Sequence, residues 1–272
     1  MTTRVCIAGV TGHIGKPLAI AVSKADDLCL VGAVCRAGKG RSAAAVTGDS
    51  AIDVPISGSV AEALKTPTDV YVDYTSAEAV KGNVLAAIEH GVHIVIGTSG
   101  LTDDDYAAID SAARARKVGV LAAGNFSITA VLLQRFACEA AKYISQWEII
   151  DYAYDRKRDS PSGTARELSF RMGQVRHPQY VHPVEKTVGP QEARGASMNG
   201  IRMHSIRLPG FYSSIEAIFG AKNERLSIRQ DAAEGHEPYI QGTLLAIRKV
   251  RDRVGLVRGL DRVTDLPGAP GC

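Results

Sequence analysis

The chain has 272 residues, a formal net charge of +3, 45% hydrophobic and 22% charged residues. That balance describes a folded globular protein of one large or two modest domains, and excludes collagen, coiled coil and disorder. So small a charge makes no case for a nucleic-acid partner, and no run reaches the roughly 18 apolar residues of a membrane helix.

The first half alternates between two periods. Residues 4–9 (RVCIAG) form an apolar run ending in glycine, the pattern of a buried parallel strand, and 14–25 follow as a helix. Strands are predicted at 28–34, 69–73, 92–96 and 117–122, with helices near 59–65, 76–90 and 103–115 between them and a basic, glycine-bearing loop at 36–42. Repeated strand–helix alternation predicts an α/β fold with a Rossmann-like, doubly wound parallel sheet. After Asn125 the pattern changes. A helix at 127–143 leads to strands at 147–154, 201–208, 213–219 and 225–230, with one helix at 164–174 and an irregular stretch at 177–199. Strands in succession predict an antiparallel or mixed sheet, and so an α+β second domain. Residues 239–251 return to helix, and the tail after Leu266 (PGAPGC) is expected to be loose. The expected division is 1–125 for the first domain and 126–235 for the second, with 236–272 packing back on the first.

The five cysteines, Cys6, Cys29, Cys35, Cys138 and Cys272, have neither CxxC nor Cys/His metal spacing. An odd, scattered set suits reduced thiols, and the opening MTTRVCIAGV lacks the layout of a secretion signal, so a cytoplasmic protein is expected, with no metal site.

Gly9-x-x-Gly12-x-x-Gly15 stands where the first strand becomes the first helix. Small residues there permit a tight turn and close approach of a diphosphate, which the helix N-terminus can hold. A glycine-rich turn with no ligand is the alternative. At the end of the second strand an NAD site usually carries an acidic residue for the ribose; here Val34-Cys35-Arg36 is followed by Lys39 and Arg41. These cations suit a 2′-phosphate and favour NADPH over NADH, the alternative being an exposed basic loop. Asp73-Tyr74-Thr75 and Gly97-Thr98-Ser99-Gly100 fall on the carboxyl edge of the sheet, where ligands bind in such folds. In the second domain Ser160-Pro161-Ser162-Gly163-Thr164 opens a helix with Lys157 just upstream, a plausible pocket for a carboxylate or simply a cap. Arg207 at a strand end suits an acidic substrate or a structural ion pair.

The pieces VCIAGVTGHIG, VDYTSAEA, GVHIVIGTSGLT, AAGNFSI, WEIIDYAYDRKRDSPSGTA and HSIRLPGFYSSIEAIFGAKNERLSIRQD, in this order, resemble the dihydrodipicolinate reductase family. The resemblance implies hydride transfer from NADPH or NADH to a cyclic unsaturated imine dicarboxylate, and a homo-oligomer, tetramer or dimer, with no nucleic-acid or membrane partner. It implies cofactor contacts from Gly9, Val10, Thr11, Gly12, His13 and Ile14, from Cys35, Arg36 and Thr75, from Gly97, Thr98 and Ser99, and from Ala123, Gly124, Asn125 and Phe126. Substrate contacts are expected from Tyr154, Lys157, Ser162, Gly163, Thr164 and Arg207. The chain departs from the family pattern His-His-x-x-Lys-x-Asp, reading Ala153-Tyr154-Asp155-Arg156-Lys157-Arg158-Asp159. The first histidine, regarded as the proton donor, is Ala153, which carries no transferable proton. Tyr154 and Lys157 are therefore the expected catalytic side chains. Three readings follow: the family reaction with a substituted donor, a diverged reductase of another imine or unsaturated acid, or a nucleotide-binding protein without turnover.

Overall fold

Short strands that are apolar on both faces dictate the first layer. In the computed structural model, which describes residues 2–263, the first half runs β1 (Thr3–Ala8), α1 (Gly15–Ser23), β2 (Leu28–Val34), α2 (Ala43–Thr47), β3 (Ile56–Ser57), α3 (Val60–Ala63), β4 (Val70–Asp73), α4 (Ala77–Glu89), β5 (His93–Ile96), α5 (Asp103–Arg116) and β6 (Gly119–Ala122). Then come α6 (Ile128–Tyr143), β7 (Gln146–Ala153), α7 (Gly163–Val175), β8 (Ala196–Met198), β9 (Ile201–Arg207), β10 (Ser213–Ala221), β11 (Glu224–Ala232), α8 (Glu237–Lys249) and β12 (Gly255–Arg258). The described residues separate into two units, 2–128 with 236–263, and 129–235.

The first unit is built on a seven-stranded sheet in the order β12-β6-β5-β4-β1-β2-β3, every adjacent pair parallel. Strands β4, β5 and β6 are buried almost throughout, as strands covered by helices on both faces must be. The chain leaves β1 in one direction to β2 and β3 and later in the other to β4, β5 and β6, so the order reverses beside β1. The helices between them are set by local signals. Thr102 and Asp105 form a capping box at the start of α5, three aspartates fill its first turn and Arg114 and Arg116 its last, each complementing the helix dipole.

The second unit carries a mixed sheet, β11-β10-β7-β9-β8, in which β7 and β9 are parallel and the other pairs antiparallel. One face packs α6 and α7 through Trp147, Ile149, Met203, Ala217 and Phe219 against Leu133, Ala137, Leu168 and Met172. A doubly wound parallel sheet joined in sequence to an α+β unit is the expected architecture. Short elements escaped prediction: α2, β3 and β12, and β8 with two 3-10 turns inside 177–199. The tail beyond Leu266 lies outside the described residues.

Candidate active site

Parallel pairing lines up the carboxyl ends of the first unit's central strands. Ala8 stands opposite Val34 and Asp73, Asp73 opposite Ile96, and Ile96 opposite Ala122. The segments singled out in sequence, at 9–14, 35–36, 73–75, 97–99 and 123–126, therefore follow one edge of one sheet.

The turn after β1 can be made only by glycine at two points. Gly9 has φ +81°, and a Cβ there would lie 2.1 Å from the Tyr74 carbonyl oxygen; one on Gly15 would lie 2.1 Å from the Gly9 carbonyl oxygen. Gly12 is less confined, its nearest neighbour being the Gly9 oxygen at 3.1 Å. Helix α1 begins after Ile14 without a side-chain cap, so the N–H groups of its first turn receive no side-chain acceptor there. Val10 is wholly buried and offers only backbone, whereas His13 is exposed, its ring 5.7 Å from that of His236. Thr11 and Cys35 meet side chain to side chain at 3.2 Å, joining the turn to the end of β2. Beyond Cys35, Lys39 pairs with Glu62 at 3.6 Å, while Arg36 and Arg41 are exposed.

Asp73 organises the next stretch. Its carboxylate, wholly buried, accepts hydrogen bonds from the Tyr71 hydroxyl (2.8 Å), the Asn83 amide (3.1 Å), the Thr75 N–H (3.1 Å), the Thr75 hydroxyl (2.6 Å) and the Thr98 hydroxyl (2.7 Å). Burial, with the Asp73 carboxylate second, pushes the Tyr71 phenol well above its ordinary range and keeps it a donor. The hydroxyls of Thr75 and Thr98, two residues expected to contact a cofactor, are thus turned toward Asp73, which leaves their backbone for that edge. Gly97 is pinned by Tyr74, whose ring would lie 2.1 Å from a Cβ; the Tyr74 phenol, 2.7 Å from the Thr243 hydroxyl, is raised chiefly by burial. Ser99 and Gly124 are exposed, Ala123 is half-buried, and Asn125 accepts the Ser127 N–H at 2.7 Å. Phe126 is buried against Tyr74, which leaves its backbone for any contact at the edge.

In the second unit the candidate residues gather after β7. Ser162 caps α7, its hydroxyl accepting the Ala165 N–H at 3.2 Å, and Gly163 and Thr164 form the helix start. The Lys157 ammonium pairs with Asp159 at 2.8 Å, which holds the Asp159 carboxyl below its usual range. Tyr154 is 41% exposed, its ring stacked on Tyr212 with centroids 6.1 Å apart. Ala153 is buried, facing Arg207 on one side and Ser213 on the other.

Arg207 does not sit as an acidic substrate's contact. Its guanidinium donates to the Asp151 carboxylate at 2.7 Å, the Asp159 carbonyl at 2.8 Å, and the Asp151 and Ile206 carbonyls at 3.2 and 2.9 Å. A buried carboxylate 56 residues earlier outcompetes any outward role. Asp151 and Asp73 are the residues sequence reasoning missed as organisers. The signal for each was an acid directly after a pair of apolar or aromatic strand residues, Tyr71-Val72 before Asp73 and Ile149-Ile150 before Asp151, a setting that demands a partner. Among the described residues no group of three or more His, Cys, Asp or Glu side chains could hold a metal ion, and no helix is long and apolar enough to cross a membrane.

A glycine turn opening a helix at the strand-order reversal of a parallel sheet, in a chain whose second unit presents a lysine and a capped helix start, defines an NAD(P)H-dependent oxidoreductase. Comparison with known proteins narrows the class. The family model for the dihydrodipicolinate reductase N-terminus matches residues 3–126, and that for its C-terminus matches 129–263. Curated relatives include the 4-hydroxy-tetrahydrodipicolinate reductases of Listeria monocytogenes serotype 4b (strain F2365), 35% identical over 96% of this chain and 100% of the relative, and of Desulfitobacterium hafniense (strain DSM 10664 / DCB-2), 38% identical over 95% and 97%. The solved structure of dipicolinate-bound dihydrodipicolinate reductase from Paenisporosarcina sp. TG-14 superposes with a TM-score of 0.85 at 30% identity, covering 97% of this chain and all of that one. This chain belongs to the dihydrodipicolinate reductase family.

Proposed function

We propose that the chain reduces 4-hydroxy-tetrahydrodipicolinate, or a closely related cyclic imine dicarboxylate, with NADPH preferred to NADH. The observation that carries this reading is the run after β7, where Lys157, paired with Asp159, precedes by five residues the capped start of α7 at Ser162, Gly163 and Thr164, a cation and a helix dipole suited to a carboxylate. The glycine edge of the first unit fits the nucleotide: Gly9 and Gly15 leave no Cβ in the turn, and α1 starts without a side-chain acceptor. A bound nicotinamide nucleotide supplies the hydride.

The chain's own groups do the rest. The turn from Gly9 to Ile14 receives the diphosphate. Arg36, exposed and next in the chain to Cys35, which Thr11 contacts, meets the 2′-phosphate, which is the basis of the NADPH preference. The segments 97–99 and 123–126, with the backbone of Thr75, shape the nicotinamide end. Lys157 and the 162–164 segment orient a substrate carboxylate. Tyr154 delivers the proton that a family histidine would otherwise supply, Ala153 being unable to do so. The free thiols of Cys6, Cys29, Cys35 and Cys138 support work in the cytoplasm, and family membership supports a homo-oligomer, tetramer or dimer.

Ala153 also favours a second reading, a diverged reductase acting on another imine or unsaturated acid. Loss of one acid–base group costs roughly 10²–10⁴-fold for the ancestral substrate. NADPH oxidation by the purified protein, with enzymatically generated 4-hydroxy-tetrahydrodipicolinate and then a panel of cyclic imines, decides between them. Rapid turnover of the first supports the family reaction. Tight NADPH binding with turnover only of another substrate supports the second reading. Absence of both binding and turnover refutes both.

A further inference from the structure

Asp151 and Arg207 meet beneath the start of α7. The carboxylate of Asp151, 1% exposed, accepts the N–H of Ser162 at 2.8 Å, the last backbone donor before Gly163 and Thr164, and lies 3.4 Å from the Ser205 hydroxyl. The guanidinium of Arg207 closes on the same oxygen at 2.7 Å and reaches the Asp159 carbonyl, at the cost of leaving its Nε buried without a hydrogen-bond partner. The loop between Lys157 and Ser162 is thus tied to β7 and β9 from beneath. The tie places a negative charge directly behind a helix start that, on the function proposed above, must attract a carboxylate. Unneutralised, it would repel that anion in a medium where water screens little.

We infer that Asp151 and Arg207 are a positioning pair for the substrate's acid group: Asp151 fixes the helix start, and Arg207 cancels the charge that this fixing introduces. The inference rests on the reading of 162–164 as the acid-binding segment. It makes the two single variants move in opposite directions. Arg207→Met leaves an uncompensated anion behind the site and weakens acid binding. Asp151→Asn keeps an oxygen for the Ser162 N–H, leaves Arg207 uncompensated, and strengthens it. A merely structural role would weaken binding in both.

The experiment is competitive inhibition by dipicolinate on the full-length protein, with NADPH affinity measured by calorimetry and folding checked by thermal melting. Arg207→Met is expected to raise the inhibition constant roughly tenfold or more, and Asp151→Asn to lower it, with NADPH affinity within about twofold throughout. Arg207→Lys keeps the charge but loses the guanidinium fork, and is expected to raise the inhibition constant less than Arg207→Met does; if the methionine variant does not fold, the fall expected for Asp151→Asn still tests the inference. The double variant Asp151→Asn/Arg207→Met is expected to return close to the parent. A rise in both single variants, or a fall in NADPH affinity in step, overturns the inference. Thr164→Val separates this from the underlying reading: if it leaves dipicolinate inhibition unchanged, the acid site lies elsewhere; if it weakens inhibition while the two single variants shift alike, the charge-cancelling role alone is wrong.

Discussion

The hydroxyl of Thr98, at the end of β5, donates to the carboxylate of Asp73, at the end of β4, over 2.7 Å, and in turn accepts the N–H of Thr75 at 2.8 Å. One buried acid therefore holds two adjacent strand ends in register and shapes the edge between them. Replacing Asp73 by alanine removes the carboxylate acceptor of the Tyr71 and Thr75 hydroxyls and of the Asn83 amide together, while the Thr98 hydroxyl keeps the Asp73 carbonyl at 3.2 Å. At roughly 1–3 kcal/mol for each buried unsatisfied group, partly recovered by relaxation and water, the expected cost is about 3 kcal/mol, a fall in Tm of roughly 6–12 °C. Tyr71→Phe removes one donor and is expected to cost only about 1 kcal/mol; equal losses in the two variants would contradict the network.

Gly12 separates cofactor approach from turn formation. Gly9→Ala and Gly15→Ala drive a Cβ into backbone 2.1 Å away, so both are expected to lose stability and NADPH binding together. Gly12→Ala meets only the Gly9 oxygen at 3.1 Å. It is expected to melt within a few degrees of the parent while binding NADPH roughly tenfold more weakly, as calorimetry and melting together would show.

Arg36 is exposed beside the end of β2. Arg36→Ala is expected to raise the KM for NADPH roughly 10–100-fold, the worth of a charge-assisted phosphate contact, and to leave that for NADH nearly unchanged. Equal effects on both nucleotides would remove the 2′-phosphate role.

The Tyr154 ring lies on Tyr212 with its edge open to solvent. Tyr154→Phe keeps the stack and removes only the hydroxyl. If that hydroxyl is the acid, kcat falls by about 10²-fold or more with KM for NADPH unaltered. Unchanged turnover assigns the proton to another group. If Lys157 holds a substrate carboxylate as proposed, Lys157→Ala is expected to raise the KM of the acidic substrate far more than that of the nucleotide.

Acid sensitivity follows from Asp69. Its carboxyl is drawn down to about 2, first by the hydrogen-bonded Arg4 side chain, against an ordinary value of 3.8. A carboxyl depressed in the folded state contributes stability that is complete above its unfolded value and is lost as pH falls through the folded one. Urea midpoints are therefore expected to drop between pH 4 and 2, and Asp69→Asn to flatten that limb. An unaltered limb in the variant would refute the assignment.

The alternation of buried strands and helices was legible because parallel strands covered on both faces leave unbroken apolar runs such as CIA in β1 and VYV in β4. The short elements α2, β3 and β12 were not, since two to five residues carry no readable period; β3 and β12 form on the edges that β2 and β6 offer, and α2 is a single capped turn begun by Ser42. In the site, Gly9, Gly15, Ser162 and Lys157 were readable from local chemistry: turn, cap and charge act within a few residues. Arg207 was not. Its role depends on Asp151, on a different strand, and a lone arginine at a strand end looks the same whether it faces a substrate or a buried acid. Nor could the sequence show that the Thr75 and Thr98 hydroxyls are claimed by Asp73, an aspartate whose burial only the folded sheet reveals.

Strand β12 pairs with β6 at the margin of the seven-stranded sheet, Gly255 to Arg258 against Gly119 to Ala122, although the two are separated in sequence by the whole of the second unit. A ribosome making this protein emits β6 long before its partner. The nascent nucleotide-binding layer must therefore wait with one flank unpaired while residues 129–235 emerge, and it is sealed only once β12 has followed them. Genetic excision of the first unit as a contiguous piece ending at residue 128 would consequently yield a sheet open along β6, whereas a circular permutant joining 236–263 directly to 2–128 would keep every strand of it in one uninterrupted stretch.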